Sequence, residues 1–262
     1  MITAFVASSV LGARPAAGDL SGAAAAAGAG TVGAALDQAN TPSVITLATG
    51  VVALLIVLVG GTPWRFARNV VTLVHEAGHA LAAVLVGRRV RSIRLHSDTS
   101  GVTVSRGRAE GPGMAFTAMA GYVAPSVLGL LFATLIGADL VTAVLVLVAL
   151  LLLGVLIMVR NAHGVFTVVT SAVVLGLVAL VAPTVVQAPF VYLLTWFLLF
   201  GGVRPIVELQ VKRRLGQARD SDADQLGRLT GVPAVLWVLV FGVLTLSCVV
   251  AGGLWLLQPL AD

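Results

Sequence analysis

Long charge-free apolar windows decide what this chain can fold into. A helix that crosses a membrane needs about 20 predominantly apolar residues. Windows of that kind centre on 44–60, 111–138, 140–159 and 229–261. The stretch 161–203 is too long for one crossing, and Pro183 and Pro189 divide it into spans near 163–182 and 189–207. A further helical stretch, 66–87, carries His75, Glu76 and His79 in largely apolar sequence. The expected fold class is therefore all-α: a polytopic transmembrane helical bundle of six to seven spans, with a short cytoplasmic β-hairpin.

Composition agrees, because only 10% of the residues are charged, against about 25% in soluble domains. A disulfide scaffold is excluded, since Cys248 is the single cysteine. The net charge of +5 does not point to nucleic acid, because the basic residues cluster between apolar runs without aromatic interleaving. They read instead as topology determinants and lipid-headgroup contacts. Residues 1–43 are Ala/Gly-rich, with Arg14, Asp19 and Asp37 as their only charges. They are expected to form a flexible tail ahead of an integral membrane domain over 44–262. The first dozen residues resemble a signal peptide's apolar region but lack the basic residues that should precede it.

The basic residues also orient the bundle. Segment 88–110 holds six arginines, segment 204–230 holds six basic residues, and Arg160 makes thirteen of the sixteen in the chain. Placing all three segments in the cytoplasm leaves the intervening turns free of Lys and Arg, which predicts a multi-pass inner-membrane protein. Seven spans would put Arg65 and Arg68 on the outer side. Either they snorkel there or the first span does not fully cross. Within 88–110, Ile93-Arg94-Leu95-His96 and Val102-Thr103-Val104-Ser105 alternate apolar and polar residues around Asp98-Thr99-Ser100-Gly101, which predicts a hairpin.

The chemistry sits in His75-Glu76-Ala77-Gly78-His79. Residues four apart share one helix face, about 5–6 Å apart at Cβ, so two imidazoles there can bind one zinc ion. Glu76 can then serve as general base for the attacking water. With four histidines and three glutamates in the chain, random placement yields only about 0.0007 such motifs. Two histidines and a glutamate are also costly in hydrocarbon and mark function there. A third protein ligand is required. Candidates are His96, His163, Asp98, Asp139 and the cluster Asp220-Ser221-Asp222-Ala223-Asp224, whose plain role would be to cap a helix over Asp222–Thr230.

These residues, taken with Ala120-Gly121-Tyr122-Val123-Ala124-Pro125-Ser126, Arg160-Asn161-Ala162-His163-Gly164, Gly201-Gly202-Val203-Arg204-Pro205, Ser221-Asp222-Ala223-Asp224-Gln225-Leu226 and Leu229-Thr230-Gly231-Val232-Pro233, carry a resemblance. Over about residues 45–258 the chain resembles the compact bacterial branch of the site-2-protease-type intramembrane zinc metallopeptidases. The resemblance implies Asp222 as third zinc ligand beside His75 and His79, although the chain lacks the Asp-Gly pair of better-known site-2 proteases. It also implies a membrane-protein substrate cleaved in or near its transmembrane segment, and release of membrane-tethered regulators. Asn161 is expected to offer a polar group near the metal, and Val102 and Val104 to line a strand that binds an unwound substrate. Tyr122 and Pro125 are expected to shape the helix face opposite the zinc helix.

The alternatives are a non-catalytic zinc-binding membrane protein and a metal transporter. Glu76 favours the hydrolase, because a structural site needs ligands and no general base. No cofactor beyond Zn2+, no nucleic-acid partner and no particular oligomeric state is indicated.

Overall fold

A computed structural model describes residues 42–218 and 220–258. The expected tail over 1–43 falls almost entirely outside them. Ten elements follow in order: α1 (Pro42–Val59), α2 (Gly61–Leu85), β1 (Arg89–Leu95), β2 (Gly101–Arg106), α3 (Pro112–Gly137), α4 (Val141–Met158), α5 (Ala162–Gly176), α6 (Thr184–Arg214), α7 (Asp222–Thr230) and α8 (Ala234–Leu257). A π-helical turn, Leu177–Val181, extends α5.

Among the described residues five helices are long and apolar enough to cross a membrane, or six if α1 and α2 count as one bent span. Counting the windows 44–60 and 66–87 as one bent span gives the lower figure of the six to seven expected. Gly60 and Gly61 sit at φ 74° and 64°, a conformation that suits glycine, and the axes of α1 and α2 diverge by 105°. That bend answers the problem of Arg68. Its Nη1 lies 3.0 Å from Glu208 Oε2, near the end of α6 that carries Lys212, Arg213 and Arg214. Arg204 also donates to the Val57 carbonyl at the end of α1, places its guanidinium 4.5 Å from the centre of the Trp64 ring, and bonds Glu208 at 3.1 Å. One half-buried ionic cluster thus clamps the bend.

The division of 161–203 differs from expectation in detail. Pro183 is the N-cap of α6, whereas Pro189 lies inside it and the helix runs on to Arg214. Pro189 falls in the second turn, where it removes the helical bond to the Val185 carbonyl. Gln187 Nε2 reaches back to the Ala179 and Ala182 carbonyls, covering the end of the preceding span.

Small residues let the central helices meet. A Cβ on Gly202 would lie 2.2 Å from Ser126 Oγ, and one on Gly129 would lie 2.9 Å from Leu199 N. These two contacts fix α3 and α6 antiparallel, in the close approach that small residues permit in membranes. Contacts of Gly252 with Ala133 and of Gly137 with Trp255 make α8 parallel to α3. The three basic segments consequently gather at one end of the bundle. The hairpin is at that end: Ile93 bridges Val159, and Arg160 N donates to Ile93 O at 3.0 Å.

Strands β1 and β2 pair antiparallel, with Ile93 opposite Thr103 and Arg94 opposite Val102. Ile93 and Leu95 are buried against the helices. Since β1 is flanked by β2 and by the Val159 bridge, β2 is the open edge.

Candidate metal centre

Helix α2 carries His75 and His79 on one face, with Glu76 3% exposed. The Nε2 atoms of the two imidazoles lie 3.1 Å apart. Asp222 Oδ2 is 3.3 Å from His75 Nε2 and 3.2 Å from His79 Nε2. Among the described residues, this trio is the cluster of side chains that could hold a metal ion.

The triangle fits a tetrahedral ion. Bonds of about 2.0–2.1 Å give donor–donor edges of about 3.3–3.4 Å in a regular tetrahedron. Edges of 3.1, 3.2 and 3.3 Å therefore match three vertices and leave the fourth open. The tautomer fits as well. His79 Nδ1 lies 2.7 Å from the Thr117 carbonyl oxygen, which can only accept, so Nδ1 carries the hydrogen. A neutral ring then presents an unprotonated Nε2 to the trio, the outer-shell pattern expected of a metal-binding histidine.

Sequence and geometry explain why Asp222 is the acid that arrives. Helix α7 begins at Ser221, whose hydroxyl accepts from Asp224 N while Asp224 accepts from the Ser221 backbone. Such a capping box is worth about 1 kcal/mol. Ala223 and Leu226 are fully buried in a cluster with Ala118, Ile206, Leu209, Val238 and Phe241. This apolar stripe draws α7 against α3, α6 and α8. Asp222 then turns toward α2, while Asp224 turns to Arg213. Burial raises the Asp224 carboxyl, but its bonds from Arg213 and Ser221 prevail and hold it below the ordinary range.

The other candidates lie elsewhere. Asp139 occupies the turn after α3, at the far end of the bundle. Asp98 accepts from Ser100 within an exposed turn, and His96 lies 3.4 Å from the Ser100 hydroxyl. His163 starts α5 outside the trio, with a buried Nε2 that has no hydrogen-bond partner. Asn161 is occupied by the hairpin: its Nδ2 donates to Leu95 O at 2.6 Å and its Oδ1 accepts from Leu95 N at 3.2 Å. It therefore serves as a side-chain extension of the β1 edge. Val102 and Val104 lie on β2 with 49% and 44% exposure. Tyr122 sets its ring edge-on to His75 at 4.8 Å and stacks on Phe241.

The Peptidase M50B-like family model matches residues 47–252, which include every residue of the trio. The chain belongs to the Peptidase M50B-like family. No curated protein and no solved structure matches it.

In this M50B-like domain the spacing of helices α2 and α3 sets where the His75 and His79 rings can stand. A Cβ on Gly121 would lie 2.3 Å from His79 Nε2 and 2.7 Å from His75 Nε2. Gly121→Ala is thus expected to lose bound metal and activity while the helix content, checked by circular dichroism, stays that of wild type. Metal analysis of the purified variant decides it; wild-type metal content would show that α3 does not set the spacing. The motif Ala120-Gly121-Tyr122 is visible in the sequence, but this role is not, because it depends on a contact between two helices. The Thr117 carbonyl is equally invisible, since every residue has one. Thr103, whose hydroxyl lies 2.6 Å from Glu76 Oε2, carried half a signal: alternation sets it opposite Val102 and Val104, but which face turns inward is decided by the fold.

Proposed function

We propose that the protein is an intramembrane zinc endopeptidase that hydrolyses peptide bonds in or beside the transmembrane segment of a membrane protein. The observation that carries this reading is the His75, His79 and Asp222 triangle with Glu76 next to it, built among helices apolar enough to cross a membrane. His75, His79 and Asp222 would hold the ion. Bound zinc supplies Lewis-acid polarisation of a carbonyl and lowers the pKa of water to about 7. Glu76 takes the proton of the attacking water and delivers it to the leaving amine nitrogen. Peptidase-family membership supports hydrolysis over transport or purely structural metal binding.

The test uses purified protein in proteoliposomes with single-span membrane proteins, and mass spectrometry locates any cut. Cleavage in or next to the span, abolished by a chelator and restored by Zn2+, supports the proposal. Bound zinc without cleavage of any substrate would favour a non-catalytic zinc protein or a transporter.

Sidedness is part of the proposal: the basic end of the bundle faces the cytoplasm of a plasma membrane. Single cysteines at positions 96 and 216, in a Cys248→Ser background, should be labelled only from the cytoplasm, and one at 186 only from outside. Labelling of 96 and 216 from opposite sides would contradict the arrangement.

A helical substrate protects its own backbone bonds and must unwind before hydrolysis. The open edge of β2 offers an unwound segment main-chain pairing, with Val102 and Val104 beside it. Val102→Pro and Val104→Pro, which remove ladder donors, are expected to lose cleavage and keep zinc. Full activity in both would make the hairpin a connector.

A further inference from the structure

The inward face of the hairpin touches the glutamate of the motif. Thr103 lies between Val102 and Val104 on β2, and its hydroxyl is 2.6 Å from Glu76 Oε2 and 3.1 Å from the Glu76 carbonyl oxygen. A hydroxyl donates one proton, and the shorter, charge-assisted contact to the carboxylate takes it. No other described side chain donates to the Glu76 carboxyl. Two further contacts fasten the strand there. Thr72, one helical turn before Glu76, donates from Oγ1 to the Thr99 carbonyl at 2.9 Å. Gly101 lies so close that a Cβ would be 2.6 Å from both Glu76 Cγ and Oε1. Glu76 is thus packed beneath β2, with one carboxylate oxygen pinned by Thr103 and the other without a donor among the described residues.

We infer that Thr103 is a positioning residue for Glu76, through which the hairpin fixes the orientation of the general base. Rotation of a carboxylate about its terminal torsion is soft, and a misplacement of about 1 Å can cost about 100-fold in rate. The hydroxyl, on a strand paired with β1, which Ile93, Leu95 and the Asn161 amide anchor, removes that freedom. Since Val102 and Val104 flank it on the same strand, a substrate paired along β2 would lie one residue from the group that orients the base. This inference rests on the proposed hydrolytic role of Glu76.

The experiment compares Thr103→Val, which keeps shape but lacks the hydroxyl, with Thr103→Ser, which keeps the hydroxyl. Both should bind zinc as wild type does. Thr103→Val should lower kcat by about 10- to 100-fold at unchanged KM, and Thr103→Ser should recover to within about threefold of wild type. An independent readout is the infrared carboxyl band of Glu76 in metal-free protein, isolated by subtracting the Glu76→Gln spectrum. The band should shift in Thr103→Val and stay in place in Thr103→Ser. Wild-type kcat with an unshifted band in Thr103→Val overturns the inference. So does equal loss in both variants, which would assign the effect to packing. An inactive wild type instead counts against the hydrolytic reading, and the infrared comparison still judges the contact.

Discussion

Glu76→Gln is expected to retain zinc at the wild-type level and lose hydrolysis by about 1000-fold or more. None of the three donor atoms of the trio belongs to Glu76, so the ion keeps its ligands, while an amide cannot accept a proton from water. The substitution is close to isosteric and still accepts a hydrogen bond from Thr103 through its carbonyl oxygen. Metal analysis and cleavage rates on the same preparation check both halves. Persistent cleavage at the wild-type rate would remove Glu76 from the chemistry. Loss of metal along with activity would show that the side chain supports the site structurally.

The second large effect concerns the acid of α7. Asp222→Asn replaces an ionised carboxylate with a weaker neutral donor at the one atom within 3.2 and 3.3 Å of the two imidazoles. Zinc affinity should fall by more than the roughly 10–100-fold that loss of an outer-shell partner costs, and activity should fall with it. Asp224→Asn should keep zinc, because that side chain is engaged with Arg213 and Ser221. Its cost is confined to stability, at about 1 kcal/mol or less for a partly exposed pair. His163→Gln should likewise keep zinc. Zinc lost in His163→Gln and kept in Asp222→Asn would mean a site of three histidines.

The contrast between Asp222 and Asp224 shows what the sequence made legible. On a helix with 3.6 residues per turn these two side chains point about 200° apart, so only one can face the metal. The bounds of α7, Asp222–Thr230, follow from its Ser221 cap and the steps of Ala223, Leu226 and Leu229. Which of the two acids turns inward depends on where α3, α6 and α8 stand, and periodicity carries no such information. The two histidines and Glu76 were legible because their spacing is itself the chemistry. Local alternation likewise disclosed the hairpin between Arg89 and Arg106.

What stayed hidden was long-range. Counting apolar windows left open whether the first span fully crosses, because hydropathy measures length and not direction; α1 and α2 form a bent pair. Arg65 and Arg68 were the warning, and the partner of Arg68 is Glu208, 140 residues away along the chain. Asn161 is expected near the metal, yet its amide is spent on the Leu95 backbone, a tertiary pairing that spacing cannot reveal. Alternation separates Thr103 from Val102 and Val104 but does not say which face turns inward, and an apolar-in rule would choose the valines. Only the fold shows that Thr103 faces Glu76.

The most direct measurement of the central claim is zinc stoichiometry with K-edge X-ray absorption on protein purified without chelators. The account predicts about one zinc per chain, with nitrogen and oxygen donors at about 2.0–2.1 Å and no sulfur. A His75→Ala, His79→Ala double variant should yield protein without the ion. Zinc retained in that double variant, a sulfur shell from Cys248, or a fully active chain that contains no zinc would contradict it.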